Sequence, residues 1–181
     1  MSRRLAQGID APLPTAPTAP TAPPVAAVIA LGANLGNRGS TLQAAVEAIA
    51  RLPLVLDVRV SGPVESVALK PEGPDADAPT YLNSVAVIST RLAPSVLLTY
   101  LQTIEAQHGR DRRERWGDRT LDLDLIAYGD VESDDPDLTL PHPRAAEREF
   151  VLEPWLTVDA DAVLPGQGRV DELLARLREN R

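Results

Sequence analysis

Two aspartates, Asp122 and Asp124, alternate with leucines in the run LDLDLIAY over residues 121–128. Successive side chains of an extended strand point to opposite faces. Leu121, Leu123 and Leu125 therefore share one face and the two carboxylates the other. Two strand rises put the aspartates about 7 Å apart. Like charges that close repel one another unless a cation lies between them. Such a pair of hard oxygen donors suits Mg2+, which takes one or two carboxylates together with phosphate oxygens. Taken alone, the pair equally fits a solvent-facing strand bearing ordinary acids, because half-solvated antiparallel sheets are common.

The residues just upstream sharpen the reading. In GRDRRERWGDRTLDLDL, Arg110, Arg112, Arg113, Arg115 and Arg119 stand directly before the carboxylates. Guanidinium forks grip phosphate through paired N–H donors. An arginine-rich loop beside metal-binding carboxylates is what a magnesium–polyphosphate site requires. The competing reading is a solvated loop in which Asp111, Glu114 and Asp118 neutralise the arginines in weak surface pairs. The glycine-rich segment GANLGNRG does not follow GxxxxGK[ST], and the single lysine, Lys70, lies elsewhere, so the site is not a P-loop.

Composition removes other chemistries. The chain has 181 residues, the length of one domain, and no cysteine, which excludes disulfides, thiolate metal sites and cysteine nucleophiles. Two histidines, His108 and His142, are too few for a multi-histidine zinc site. A net charge of −8 argues against broad nucleic-acid binding. No apolar run reaches 18 residues, so no membrane span is expected.

The elements that must position these groups follow from periodicity. Residues 1–24 form a Pro/Ala/Thr-rich tail (DAPLPTAPTAPTAPP), expected to be extended and disordered, before a single domain over 25–181. VAAVIAL at 25–31 reads as a buried strand running into the GANLGNRGS loop. Leu42, Val46 and Ile49 recur at helical spacing, with Ser40 or Thr41 as cap. Residues 55–66 read as a strand bent at Gly62-Pro63, and 67–80 as a long loop. YLNSVAVIST at 81–90 is a strand. Pro94 opens a second helix with Leu97, Leu101, Ile104 and His108 on one stripe. The order β-α-β-β-α-β is the split βαβ arrangement of α+β ferredoxin-like folds, with both helices on one sheet face and the other face open. Beyond residue 128 the pattern is irregular, up to an amphipathic helix carrying Val170, Leu173, Leu174 and Leu177.

With Gly32-Ala-Asn-Leu-Gly36, Tyr81-Leu-Asn83, the run from Arg115 to Asp124 and Leu140-Pro-His-Pro143 in that order, residues 25–180 resemble the 6-hydroxymethyl-7,8-dihydropterin pyrophosphokinases of folate biosynthesis. The stretch RWGxRTLDLDL is the specific part. The resemblance implies a ferredoxin-like core with additional C-terminal elements. It implies pyrophosphate transfer from ATP, the co-substrate, to the hydroxymethyl group of the dihydropterin, releasing AMP. By position, Asp122 and Asp124 would hold two Mg2+ ions. Arg110 and Arg112 would join them in catalysis. Gln102, Glu105, Arg110, Arg112, Arg115, Arg119, His142 and Arg148 would bind ATP. Ser66, Leu69, Tyr81, Asn83, Trp116 and Phe150 would bind the pterin. Trp116 and Phe150 also fit on physical grounds, since flat heteroaromatic rings stack on aromatic faces. Asn83 offers both donor and acceptor, as a pterin edge requires. Two departures stand out. Asp118 replaces the family's usual proline, and the pterin-side loop reads Ser66-Val-Ala-Leu69 in place of Thr-x-Pro.

The protein is accordingly expected to be a cytoplasmic monomer acting on small molecules, without nucleic-acid or membrane partners. Two rival classes share the topology. A non-catalytic, ligand-binding regulatory module has no need of paired aspartates beside five arginines. An RNA-binding domain would want a basic face and strand aromatics, of which there are only Tyr81 and Tyr128.

Overall fold

The computed structural model describes residues 22–70, 73–75, 79–108 and 120–180, with the backbone alone for 68–70 and 73–75. The expected tail up to residue 21 and the basic loop at 109–119 lie outside the described residues.

The elements run β1 (Val25–Ala33), α1 (Arg38–Ala50), β2 (Val55–Val60), β3 (Val64–Ser66), β4 (Ala68–Lys70), β5 (Gly73–Asp75), β6 (Tyr81–Thr90), α2 (Pro94–Gln107) and β7 (Asp122–Tyr128). A hairpin of β8 (Ser133–Asp135) and β9 (Leu138–Leu140) follows, then α3 (Glu149–Val158), β10 (Val163–Leu164), β11 (Gly168–Arg169) and α4 (Val170–Glu179). The main sheet has the order β2-β6-β1-β7, and every pairing in it is antiparallel. This is the ferredoxin-like core expected from the element order.

Strand β3 continues β2 along the same partner, β6, after a break at residues 61–63. Pro63 has no ladder donor, and Ser61 holds the bend. Its N–H donates to the Val85 carbonyl at 2.9 Å, and its Oγ accepts the Val85 N–H at 2.9 Å. The stretch 67–80, expected as a loop, contains the short β4–β5 hairpin. Helix α1 begins earlier than expected: Asn37, not Ser40 or Thr41, is its cap, and the Asn37 side chain accepts the Ser40 N–H at 3.1 Å.

Strand alternation divides the core in two. Ala27, Ile29, Leu31, Leu123 and Leu125 face α1 and α2, where they meet Leu42, Ala45, Ile49, Leu97, Leu101 and Ile104. The opposite face was expected to be open, and the structure corrects this. Val28, Val85, Val87 and Ile126 are buried there with Val151, Leu152 and Trp155 of α3 and Val170 and Leu174 of α4. Sequence pattern hides α3 because Pro154 sits inside it. Proline deletes one helical hydrogen bond and reads as a breaker, but the buried face of Val151, Leu152 and Trp155 offsets that loss.

A bulge between Val28 and Ile29 admits an extra residue on β7, so Ile126 and Ala127 both turn to the α3–α4 side and Tyr128 returns to the α1–α2 side. There the Tyr128 hydroxyl donates to the Leu92 carbonyl at 2.6 Å. Tyr128→Phe leaves that buried carbonyl without its donor and is expected to cost about 1–3 kcal/mol. Thermal unfolding should show a drop of several degrees; an unchanged midpoint would mean that the hydroxyl does not hold this end of β7.

Candidate active site

The two aspartates leave the sheet on the face that α3 and α4 cover only in part. Register explains what stands beside them. Asp122 pairs with Gly32 of β1, Gly32 with Asn83 of β6, and Asn83 with Val64 of β3. Directly opposed residues of antiparallel strands share a face. One row across the sheet therefore carries Asp122, the bare Gly32 and Asn83. The adjacent rows add Asp124 on one side and the Tyr81–Ser66 pair on the other. The carboxylates thus share one sheet face with Asn83, Tyr81 and Ser66, three of the six expected pterin residues.

Each group is held. The Asn83 side chain is buried, and its amide donates to Ser66 Oγ at 2.9 Å. That leaves Oδ1 on the side of Gly32, 3.3 Å from where a Cβ there would stand. Around Asp124 the charges are matched. Arg148 Nη1 donates to its Oδ2 at 2.7 Å, and His142 Nε2 lies 3.8 Å from the same oxygen. Arg148 caps α3, and its guanidinium lies over the Phe150 ring, 5.9 Å from the centroid. His142 is fixed by its own backbone, whose N–H donates to the Ile126 carbonyl of β7 at 2.8 Å. Its Nδ1 accepts the Arg144 N–H at 3.1 Å, so the proton of the neutral ring sits on Nε2, facing Asp124. Burial pushes the imidazole below its usual value. Asp124 and Asp122 oppose that shift, while Arg148 adds to it. At neutral pH His142 is therefore an uncharged donor at this site.

Glu105 has a different position from the one expected. It is 1% exposed, on the α1–α2 side of the sheet. Its Oε1 accepts the backbone N–H of Leu123, the residue between the two aspartates, at 2.8 Å. Expected among the ATP-binding residues, Glu105 in this structure braces the strand from behind. Gln102 lies exposed on α2 one turn earlier, and no described contact joins it to Asp122 or Asp124. Arg110, Arg112, Arg115, Trp116 and Arg119 lie outside the described residues, as does the Leu69 side chain. His108 is structural, its Nδ1 2.9 Å from the Ile104 carbonyl.

Among the described residues, no group of three or more His, Cys, Asp or Glu forms a metal cage. Asp122 and Asp124 nevertheless fit a hard cation that completes its shell with phosphate oxygens and water. The guanidinium on Asp124 marks that oxygen as a seat for positive charge. Arg38 closes the nearby loop. Its Nη1 donates to the Thr80 carbonyl and hydroxyl at 2.8 and 2.7 Å, and its Nη2 to Glu65 at 2.8 Å. Sequence reasoning gave no role to Arg38 or to Gly32. Both stood in the glycine motif, but only strand pairing shows what they face.

A ferredoxin-like sheet carrying paired carboxylates, a neutral imidazole and a guanidinium on one partly open face has the equipment of a metal-assisted transferase of phosphoryl groups, and a ligand-sensing module of the same topology has no need of it. Comparison with known proteins makes the class particular. Residues 28–160 match the family 7,8-dihydro-6-hydroxymethylpterin-pyrophosphokinase (HPPK), and the chain belongs to that family. It is 41% identical over 151 residues to the 2-amino-4-hydroxy-6-hydroxymethyldihydropteridine pyrophosphokinase of Haemophilus influenzae, covering 83% of this chain and 92% of that one. It is 44% identical over 145 residues to the Pseudomonas aeruginosa protein of the same name, covering 80% and 87%. Among solved structures, a Plasmodium falciparum HPPK-DHPS with pterin and p-hydrobenzoate superposes with a TM-score of 0.61 at 12% identity. That likeness, which covers 84% of this chain and 44% of the longer one, concerns the fold.

Glu105 generates a test. Glu105→Ala removes the acceptor that holds Leu123 and is expected to cost about 1–3 kcal/mol in stability and to lower turnover. Glu105→Gln keeps an acceptor oxygen and should recover part of both. Melting curves and initial rates on the two variants check this; an alanine variant with unaltered stability and rate would refute the clamp.

Proposed function

We infer that this chain transfers the pyrophosphoryl group of ATP to 6-hydroxymethyl-7,8-dihydropterin and releases AMP, a step in folate biosynthesis. Family membership supports the activity. The single structural observation that carries the reading is the row joining Asn83, Gly32 and Asp122, which sets a recognition group for a heterocyclic edge beside a metal-binding carboxylate on one face.

On this reading Asp122 and Asp124 would hold two Mg2+ ions, which would supply charge neutralisation to the transferring phosphates. Arg148 is drawn from Asp124 to phosphate when that charge arrives, and neutral His142 donates from Nε2. Arg110, Arg112, Arg115 and Arg119 bind the triphosphate, as the family resemblance implies. Gln102 contacts the nucleotide, and Glu105 is a positioning residue for β7. The pterin takes Asn83 and Ser66 at its polar edge, Tyr81, Phe150 and Trp116 as aromatic walls, and Leu69 from strand β4. In-line transfer of this kind needs positioning and charge stabilisation more than covalent participation by the protein.

Among the described residues no helix is long and apolar enough to cross a membrane. We propose that the protein works as a cytoplasmic monomer on small molecules, without nucleic-acid partners.

The test is magnesium-dependent formation of AMP from ATP in the presence of hydroxymethyldihydropterin, with equimolar pyrophosphorylated pterin. Asp122→Asn and Asp124→Asn should each reduce turnover by at least ~100-fold, the scale on which single groups that stabilise transition-state charge act. Their unfolding midpoints should move by a few degrees at most, because partly exposed ion pairs contribute about 1 kcal/mol or less. Near-normal magnesium-dependent activity in either variant would remove that carboxylate from the site.

A further inference from the structure

We propose that Arg38 is a positioning residue for the pterin: from the α1 side of the sheet it straps β3 to the start of β6, and so fixes the Ser66–Asn83 hydrogen bond that orients the Asn83 amide. This rests on the functional reading above and adds a residue that acts through Ser66 and Asn83.

Helix α1 starts at Arg38, and the guanidinium reaches two segments distant in sequence. Its Nη1 donates to both oxygens of Thr80, at 2.8 Å to the carbonyl and 2.7 Å to the hydroxyl, and its Nη2 donates to Glu65 at 2.8 Å. Each partner adjoins a residue of the expected pterin set: Glu65 precedes Ser66, and Thr80 precedes Tyr81. Ser66 and Tyr81 are opposed across the β3–β6 ladder, with Glu65 opposite Leu82 in the next row. Leu82 packs toward the α1–α2 core, so alternation puts Glu65 on that side and Ser66, Tyr81 and Asn83 on the other. Arg38 therefore holds the end of the ladder from behind.

The hold matters because little else on the α1 side secures β3. The strand has three residues, Val64–Ser66, and among the described residues it pairs with β6 alone. Its upstream end is tied through Ser61, before Pro63, which brings no ladder donor. Toward α1 the packing is open. A cavity of about 370 Å3 lies there, lined by Leu42, Val46, Val60, Pro63 and Leu82 among others. Where neighbouring atoms are missing, dispersion contact cannot press β3 onto β6. The planar guanidinium fork spans from the helix to both chain segments instead. Its effect is felt on the far face. The Asn83 amide donates to Ser66 Oγ at 2.9 Å and lies 3.5 Å from the Val64 carbonyl, and both acceptors belong to β3. If β3 drifts, the amide loses the partners that set which of its edges is donor and which acceptor. Global stability depends less on the strap, since Glu65 is 63% exposed and such ion pairs are weak.

The experiment compares wild type with Arg38→Ala, Arg38→Lys, Glu65→Ala, Ser66→Ala and the double variant of Arg38→Ala with Ser66→Ala. Steady-state rates are measured with hydroxymethyldihydropterin and magnesium-ATP, and pterin binding by calorimetry beside a non-hydrolysable magnesium-ATP analogue. Arg38→Ala should raise the pterin KM about tenfold, with the KM for ATP within about twofold of wild type and the unfolding midpoint within a few degrees. Arg38→Lys keeps one charged contact but not the fork, and should recover part of the loss. Because the effect passes through Ser66, Arg38→Ala should change the pterin KM by no more than about twofold once Ser66 is alanine. Glu65→Ala breaks the strap at an exposed side chain and gives the same reading should Arg38→Ala fail to fold. An unchanged pterin KM in Arg38→Ala, or in Glu65→Ala where the first does not fold, overturns the proposal. An equal rise in both KM values does so too, as does an effect of Arg38→Ala that is as large without the Ser66 hydroxyl as with it. If wild type itself formed no AMP with this pterin, the functional reading would fail, and that result is visible before any variant is compared.

Discussion

The site depends on the register of one strand. β1 pairs with β6 and β7 at once, and Gly32 is the residue where the two ladders bring Asn83 and Asp122 into one row. A slip by one residue on either side would turn every side chain of the slipped strand to the opposite face. The carboxylates would enter the leucine core, and Leu123 would enter the site. Register is thus enforced by the same alternation that builds the core: Ala27, Ile29 and Leu31 must meet α1 and α2 for the protein to fold. Glu105 adds a local lock. It reaches through the core to the one N–H that lies between the two aspartates.

The electrostatics of the open face follow from what α3 and its approach bring to β7. Asp124 stands among a guanidinium, a half-buried imidazole and a second carboxylate. A protonated His142 would place a second positive group beside Arg148 in a partly desolvated site. Burial keeps the ring neutral, and the Arg144 N–H on Nδ1 fixes where its proton sits. The outcome is one strong cation and one neutral donor around the Asp124 carboxylate. Arg148 also lies over Phe150, so the partner of Asp124 touches an aromatic face proposed to line the pterin pocket. That contact offers a short physical route between the two substrate sites.

Local pattern carried most of the core fold. The alternation of LDLDL, the stripe Leu97, Leu101 and Ile104, and the Gly62-Pro63 bend are each settled by neighbours in sequence, and the structure has all three. The misses are of another kind. Helix α3 contains Pro154, and only burial of its other side chains against the sheet makes it stable. The cover on the second face could not be read, because it depends on where the chain returns after residue 140. The role of Glu105 was hidden for the same reason. Its partner is a backbone N–H 18 residues away, and a backbone group leaves no mark in the sequence. The resemblance supplied candidate residues, but not which side of the sheet each one occupies.

That division explains the economy of the molecule. The five-stranded sheet has two faces, and one of them is spent wholly on α1 and α2. The other must both stabilise the fold and stay open to substrates. Its cover is partial: Val28, Val85, Val87 and Ile126 lie under α3 and α4, while Tyr81, Asp122 and Asp124 form a zone that keeps partial exposure. His142 and Arg148 sit at the border between the zones, each fixed by backbone on the covered side and directed toward the open side. A rigid sheet floor and border groups with fixed backbones are what transfer between two bound substrates needs, since a misplacement of about 1 Å can cost on the order of 100-fold in rate. The C-terminal elements are therefore as much a part of the site as the aspartates: without the layer they form, neither the histidine nor the arginine would have a support from which to reach Asp124.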